Sequence, residues 1–296
     1  MSIKSGWEVI KGTLTRFSED SATTLAAALA YYAIFSIAPM LVIIVGVVGL
    51  VFSEASARQQ MVQQLRGAVG PRAAAVIESM MASQTRQGSL IATLVGIVVL
   101  LLGASGVFGQ LKTSLNLIWH VRPKPGRAIL GYLTERIVSF FVLIGIAILI
   151  VLSLVLNTVV SAFYGYISQE IQIPGFVARI IQLVLSALVL TLLFGMVFKL
   201  LPDVRIRWRN LWVGSVATAL LFLAGEYLLG LYLGRKGTTS PYGAAGSVVL
   251  ILMWIYYSSV IVLLGAEFTQ AYTRHTGAPI EPGKYAEWMG AAEAPA

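Results

Sequence analysis

Long stretches without a charged residue are the feature that most constrains the fold of this chain. Five are long enough to cross a bilayer as helices: Leu25–Ser53, Gln87–Leu111, Ile137–Gln169, Ile180–Phe198 and Gly237–Ala266. A sixth stretch, Asn210–Gly234, is interrupted only by Glu226. Because 57% of the residues are apolar and only 11% are charged, a water-soluble core could not bury them. The sequence therefore predicts an all-α, polytopic membrane helical bundle with six transmembrane helices.

We predict a single membrane domain over residues 1–275. Its spans are expected at about 25–53, 88–111, 137–162, 179–200, 211–234 and 245–271. Apolar residues at helical spacing predict short amphipathic helices at the N-terminus, over 5–18, and in the first outer loop, over 54–86. The first apolar stretch is expected to be a retained span, since small residues open it instead of closing it. Residues 276–296, rich in Pro, Gly, Ala and Glu, are predicted to form a disordered cytoplasmic tail.

The distribution of lysine and arginine predicts how the chain is oriented. Positively charged residues close to the spans favour the cytoplasmic side of a membrane. With the N-terminus in the cytoplasm, the inner segments hold twice as many lysines and arginines as the outer segments. Trp119, Trp208 and Trp212 then fall at span ends on the inner side, where interfacial aromatic residues are expected. We therefore predict that both termini are cytoplasmic.

The sequence contains few of the residues and motifs that enzymes use for catalysis. There is no cysteine, the only histidines are His120 and His275, and neither HExxH nor GxxxxGK[ST] occurs. No loop carries a cluster of carboxylates able to hold two metal ions. The net charge of +8 comes from basic residues placed between apolar segments, so nucleic acid is not an expected partner. We expect no catalytic residue, no metal, no cofactor and no enzymatic activity.

Glu226 is the sharpest candidate for a functional residue. A carboxylate within a span is costly and usually faces a bundle interior, a cavity or a partner. The alternative is a structural role in which it holds two helices together. Pro39 frees a backbone carbonyl within the first span and favours a kink there. The candidate transport or interior polar residues are Ser36, Pro39, Asn157, Glu226 and Tyr257, with Tyr31 and Ser105 also expected to face inward.

Glu267 differs from Glu226 in its depth. Its span runs in the opposite direction, which places Glu267 about one turn from the cytoplasmic end. There it can meet a basic side chain from an inner loop, because charges near helix ends reach the interface at low cost. We predict that Glu267 is a structural polar residue.

Basic residues in the inner loops are candidate contacts for anionic lipid headgroups. They are Arg122, Lys124, Arg205, Arg207 and Arg209. The orientation of the chain in the membrane also accounts for these residues, so headgroup binding is one of two explanations.

Five segments resemble the characteristic blocks of the YihY/BrkB family of bacterial inner-membrane proteins. They are LAAALAYYAIFSIAP (Leu25–Pro39), SLNLIWHVR (Ser114–Arg122), LPDVRIRWR (Leu201–Arg209), SPYGAAGS (Ser240–Ser247) and WIYYSSVIVLLGAEF (Trp254–Phe268). They occur in the family's order and extend the resemblance over roughly residues 10–273. The matching blocks centre on Ser36–Pro39, Asn116, Pro202–Asp203, Tyr242–Gly243 and Gly265–Glu267.

The resemblance implies a six-span bundle in the bacterial inner membrane but no residue roles. Family members have carried the label ribonuclease BN, and others are linked to virulence, serum resistance, or the handling of envelope lipid or lipopolysaccharide. The absence of catalytic groups in this sequence argues against a nuclease.

Three functions are therefore compared. The leading hypothesis is a transporter-like protein that moves, or helps to move, a lipid or other amphipathic anionic molecule in envelope homeostasis. The second is a non-transporting membrane scaffold for envelope proteins, and the third is a membrane-associated ribonuclease. Membrane lipids are the expected partners, with envelope proteins and further copies of the chain as additional candidates.

Overall fold

The computed structural model describes residues 3–49, 106–124, 175–236 and 243–290. It also describes single helical positions at residues 59, 62, 63, 74, 75, 78, 144, 145, 148, 149 and 152. The predicted spans 88–111 and 137–162, and the predicted outer helices over 54–86, lie mainly outside the described residues. The number of spans therefore stays a prediction.

The described chain consists of long helices joined by short connections. The helices are α1 (Ile3–Glu19), α2 (Ala22–Gly49), α3 (described over 106–118), α4 (Gly175–Leu200), α5 (Trp208–Lys236) and α6 (Gly243–His275). The strands are β1 (Val121–Pro123), β2 (Val204–Arg205), β3 (Glu281–Pro282) and β4 (Ala286–Trp288).

Three of the described helices are long and apolar enough to cross a membrane. These segments are Arg179–Leu200, Trp208–Leu228 and Ile251–His275. A shorter apolar segment, Ala22–Ser36, lies in α2. They coincide with predicted spans because a helix crossing hydrocarbon must satisfy its backbone internally and carry few charges, which are properties visible in the sequence.

Helices α5 and α6 pack closely through a reciprocal contact of two glycines and two threonines. The side chain of Thr269 lies against Gly214, and that of Thr218 lies against Gly265. Each threonine hydroxyl also donates to a carbonyl of its own helix, Thr218 to Gly214 at 2.7 Å and Thr269 to Gly265 at 2.6 Å. Small residues let two helix backbones approach closely, and the internal hydrogen bonds leave neither hydroxyl unpaired.

One end of the bundle gathers segments that are far apart in sequence. We call it the polar end; it comprises the turn between α1 and α2, residues 119–124, the α4–α5 loop 201–207 and residues 276–290. The backbone N–H of Met289 donates to the carbonyl of His120 at 2.9 Å, and that of Gly283 donates to the carbonyl of Asp203 at 2.7 Å. The large, almost completely buried apolar side chains are Leu115, Ile118, Trp119, Phe198, Leu211 and Leu263.

Residues 281–288 correct the prediction of a disordered tail. Strand β4 pairs antiparallel with β1, with Trp288 opposite Val121, and β3 pairs with β2, with Pro282 opposite Val204. Composition predicted disorder because Pro and Gly disfavour regular structure, but two distant loops supply backbone partners that this segment can pair with. Residues 291–296 lie outside the described residues.

Helix α1 rests against α6. Ser5 Oγ and His275 Nε2 are 2.6 Å apart, and Val9 and Thr13 are buried. The large apolar side chains that α1 exposes are Trp7, Ile10 and Leu14.

Candidate functional site

A buried amide anchors the α4–α5 loop to α3. Asn116 Nδ2 donates to Asp203 Oδ2 at 3.0 Å, and the backbone N–H of Asp203 donates to Asn116 Oδ1 at 2.8 Å. Lys112, one turn earlier on α3, forms an ion pair with the same carboxylate oxygen at 3.0 Å. Two of the blocks that resemble the family pattern therefore meet here, which fixes the start of α5.

Gln270 connects three helices at the polar end. Its Nε2 donates to the carbonyl of Ile118 at 2.6 Å, and its Oε1 accepts a hydrogen bond from Arg16 Nη1 at 2.8 Å. The side chain is completely buried in α6, so both bonds are made away from water. The sequence prediction missed this residue, although a glutamine in an otherwise apolar span is a usable signal.

Two carboxyl groups at the polar end, those of Glu267 and Asp20, differ in their exposure. Glu267 in α6 is completely buried, and Asp20 follows the last residue of α1. His120 Nε2 is 3.3 Å from Asp20 Oδ2. Ser21, which follows Asp20, and His120 itself have positive φ angles of 51° and 53°. The turn after α1 and the end of α3 therefore both use the left-handed backbone region.

Two basic side chains act electrostatically on Glu267. Arg16 and Arg274 are the cations that act on Glu267, but Arg16 donates to Gln270. Neither carboxylate oxygen of Glu267 has a hydrogen-bond partner in the part of the chain that the structure describes. The role of Glu267 as a structural polar residue stays a prediction.

A cavity of about 170 Å³ opens at the polar end between the start of α5 and the segment after α6. It is lined by Arg207, Arg209, Asn210, Thr276, Gly277 and Ala278. Asn210 is buried, and its Nδ2 donates to Thr276 Oγ1 at 3.1 Å, which connects the two walls. Both guanidinium-bearing residues are exposed, so the cavity is basic and open to solvent.

The structure separates the five predicted headgroup contacts into two groups. Arg207 and Arg209 share the cavity. Arg205 instead pairs with Glu281 between β2 and β3, and Arg122 Nε lies 2.9 Å from Glu287 Oε1. Lys124 is exposed, and its backbone N–H bonds to the carbonyl of Tyr285.

The candidate interior residues that the structure describes lie on different helices. Glu226 is partly buried on α5, and the Tyr257 side chain lies against the neighbouring Gly225. Ser36 is buried on α2 and packs near Gly106 of α3.

The four other residues predicted to face the interior have different outcomes. Pro39 lies within α2, whose helical backbone continues to Gly49, and Asn157 and Ser105 lie outside the described residues. Tyr31 is 61% exposed, so the prediction that it faces the interior was wrong. Its ring instead makes edge contacts with the rings of Tyr32 and Phe35 on the exposed side of α2.

A row of aromatic rings joins α4, α5 and α6 between the polar end and the level of Glu226. Successive ring centroids are 5.7 to 6.3 Å apart. The row is formed by Phe198, Phe194, Phe222, Trp254 and Tyr257. Such contacts add to the stabilisation from burial and fix the relative positions of the three helices.

No group of three or more metal-binding side chains occurs among the residues that the structure describes. The polar end instead offers hydrogen-bonded anchors, a basic cavity and the completely buried carboxyl group of Glu267. The basic cavity suits the binding of an anion.

Apolar helices of spanning length, packed through glycine and threonine and joined by a polar end, define a helical membrane protein. The chain belongs to the family described as virulence factor BrkB, whose sequence profile matches residues 13–287. The resemblance deduced from the sequence blocks is thereby confirmed.

Relatives in several bacteria carry the name UPF0761 membrane protein. The chain is 28% identical to one from Pseudomonas aeruginosa over 264 residues, covering 88% of this chain and 62% of the relative. It is 30% identical to one from Azotobacter vinelandii over 258 residues, covering 85% of this chain and 60% of the relative. The chain thus spans about three fifths of the length of these relatives, and no solved structure matches it.

Proposed function

We propose that the protein is a multi-pass protein of the bacterial inner membrane that moves, or helps to move, a lipid or other amphipathic anionic molecule. In this proposal the polar end faces the cytoplasm with both termini. The observation that carries it is the cavity at the junction of α5 and α6, in which Arg207 and Arg209 face the same space.

The position of the cavity suits a lipid headgroup. It lies at the first residues of the apolar segment Trp208–Leu228 and just beyond the last residue of Ile251–His275. The ends of spans lie at the level of the lipid phosphates, and tryptophans are enriched there. Trp208 and Trp212 are both exposed at the start of α5, with ring centroids 6.3 Å apart.

The chemistry of the cavity suits a phosphate. A guanidinium group donates two parallel hydrogen bonds to a phosphate and keeps its charge at any physiological pH. The anionic cytoplasmic leaflet attracts such groups from a distance. Beyond the cavity, α5 exposes apolar side chains that acyl chains can lie against: Val213, Val216, Leu220 and Leu221.

The surface of α1 fits the same orientation. Trp7, Ile10 and Leu14 are exposed on the helix, and Lys11 is an exposed cation on it that can reach anionic headgroups. A helix with these two kinds of side chain lies in the membrane interface. We propose that α1 rests on the cytoplasmic leaflet beside the cavity.

Lipid movement in proteoliposomes tests this function. The protein is reconstituted into vesicles of phosphatidylglycerol and phosphatidylethanolamine, and the transfer of a labelled phospholipid between leaflets is followed. We expect transfer above that of protein-free vesicles and a several-fold loss in the R207Q/R209Q double variant. The matched control is Arg205→Gln, because Arg205 lies in the same loop but outside the cavity lining.

Transfer equal to that of protein-free vesicles, together with unchanged envelope lipids in a deletion strain, would rule out the proposal. A membrane scaffold is then the second candidate. The close Gly–Thr packing of α5 against α6 favours it, because a fixed interface suits a platform better than a moving one. The scaffold predicts a stable stoichiometric partner protein. Catalysis, including RNA cleavage, is not part of either proposal.

A further inference from the structure

The two arginines that line the basic cavity have no acidic partner in the described part of the chain. Other basic residues of the polar end do: Lys112 and Arg122 each form an ion pair, at 3.0 Å and 2.9 Å, with a carboxylate of another segment. No such pair joins Arg207 or Arg209 to a described carboxylate. None of the described residues that line the cavity is acidic. The cavity therefore presents two positive charges that are available to a ligand from outside the chain.

The wall formed by α5 adds to the attraction for an anion. The carbonyl of Arg207 accepts hydrogen bonds from the backbone N–H groups of Asn210 at 3.1 Å and Leu211 at 3.3 Å, so the first turn of the helix lies beside the cavity. The first N–H groups of a helix have no acceptor within it, and the helix dipole gives this end a partial positive charge. Both effects reinforce the positive charge of Arg207 and Arg209.

The wall that follows α6 is capped by its own backbone. The last carbonyls of a helix carry a partial negative charge, which disfavours an anion. Here the N–H of Ala278 donates to the carbonyl of Thr273 at 3.2 Å, and that of Gly277 donates to the carbonyl of Arg274 at 3.0 Å. Gly277 has the positive φ angle, 63°, that this way of ending a helix requires. Because these carbonyls already accept hydrogen bonds, the arginines determine the sign of the charge in the cavity.

Two arginines match the charge and the oxygens of a terminal phosphate. A phosphomonoester carries a charge of about −1.5 to −2 near neutral pH and has three acceptor oxygens. Each guanidinium group carries one positive charge and can donate two parallel hydrogen bonds. A phosphodiester, with one negative charge and two free oxygens, would use only part of this capacity. An amine in the headgroup would find no carboxylate among the described lining residues.

The size of the cavity favours a small group at the end of a ligand. Its volume of about 170 Å³ is below the roughly 300 Å³ at which pockets for drug-sized molecules begin. At about 30 Å³ per molecule of liquid water, the space corresponds to about five or six waters. A phosphate group fits such a space, whereas a disaccharide headgroup extends beyond it.

We propose that the cavity binds the terminal phosphate of a phosphomonoester lipid, of which phosphatidate is the simplest. This inference rests on the proposed function, because it names the class of lipid that the same site recognises. Arg207 and Arg209 both donate to the phosphate, and the acyl chains lie against the exposed apolar side chains of α5 that follow the cavity, beginning with Val213 and Val216.

Competition binding on the purified full-length chain tests the site. In detergent micelles, fluorescence anisotropy follows the binding of phosphatidate that is labelled on an acyl chain. Unlabelled phosphatidate, phosphatidylglycerol and phosphatidylethanolamine with identical acyl chains then compete with it. We expect phosphatidate to displace the label at an about tenfold lower concentration than phosphatidylglycerol, the equivalent of one charge-assisted hydrogen bond. Phosphatidylethanolamine should compete least.

Single substitutions separate recognition from folding. Arg207→Gln and Arg209→Gln should each weaken phosphatidate binding about tenfold and phosphatidylglycerol binding less, so that the preference between the two lipids disappears. A merely structural role would weaken the binding of both lipids alike. Arg205→Gln is the matched control, because it removes one charge from the same loop outside the cavity lining. Ala278→Leu fills the cavity without changing its charge and should weaken phosphatidate binding as well.

The proposal is overturned by equal competition from phosphatidylglycerol, or by an unchanged preference in both arginine variants. It is also overturned if glycerol 3-phosphate displaces the label at the concentrations at which phosphatidate does, because the ligand is then a soluble phosphate ester. The comparison of lipids needs only the wild-type protein, so it decides the question even if the variants fail to fold. Selective binding without transfer would reject the proposed function alone, and transfer without the preference would reject this inference alone.

Discussion

Asn116 and Asp203 exchange two hydrogen bonds although 87 residues separate them in sequence. Asn116 uses its donor and its acceptor on one partner, so the amide fixes both the carboxylate and the backbone of Asp203. The α4–α5 loop, which ends with the cavity residue Arg207 and leads into Arg209 at the start of α5, is therefore positioned by a side chain of α3. The position of the basic cavity and the stability of the bundle are linked through this contact.

Replacing Asn116 with alanine tests that link. We expect the substitution to lower the free energy of unfolding by about 1 to 3 kcal/mol, because the carboxylate loses a partner and a buried backbone N–H loses its acceptor. Thermal unfolding in detergent measures the effect. Thr113→Ala is the control, since Thr113 is exposed on the same helix and bonds only to a local carbonyl. Equal melting temperatures for the two variants would show that the contact contributes nothing.

The Gly–Thr contact predicts a rescue between helices. Gly214→Ala places a methyl group where the Thr269 side chain lies, so we expect a loss of about 1 to 3 kcal/mol from overpacking. Combining it with Thr269→Ala removes the clash and should restore part of this loss. Gly12→Ala serves as the control because no atom lies within 4 Å of the added carbon. A double variant no more stable than Gly214→Ala alone would contradict this packing.

Removal of the C-terminal strands should loosen the polar end without deleting the cavity lining. A chain that stops after Ile280 lacks β3 and β4, so β1 and β2 lose their antiparallel partners. We expect faster amide hydrogen exchange at residues 121–122 and 204–205, because these N–H groups become open to water. A chain that stops after Gly290 keeps both strands and should exchange at the wild-type rate. Unchanged exchange in the shorter chain would mean that the strands do not protect these loops.

Glu226→Gln distinguishes the transporter from the scaffold. Removing an ionisable group from a span should leave stability equal or higher, since a charge there is costly. For a transporter that uses this carboxyl group, we expect slower lipid transfer at normal protein levels, and for a scaffold no change in partner binding. Tyr257→Phe, which keeps the ring beside Gly225 and removes only the hydroxyl, reports whether that hydroxyl contributes. The two readouts are lipid transfer in vesicles and co-purification of a partner.

The sequence was informative wherever a feature depends on local composition. The spans containing Arg179–Leu200 and Ile251–His275 could be predicted because lipid requires long uncharged helices. The contacts of the polar end could not be predicted from the sequence. Asn116, Asp203 and Gln270 acquire their roles from partners that are distant in sequence. Tyr31 was assigned to the interior because of its hydroxyl, but an aromatic ring with one polar atom is also suited to a surface in contact with lipid.

The bond between Arg16 and Gln270 has a consequence for biogenesis. The two residues are 254 positions apart, so the contact forms only after α6 has been synthesised and has packed against α1. Before that step, Arg16 and the carbonyl of Ile118 have not yet formed their hydrogen bonds to Gln270. Assembly of this end therefore follows the synthesis of α6. A nascent chain stalled before α6 would expose these polar groups to the quality-control machinery, which thereby distinguishes a bundle without α6 from one that contains it.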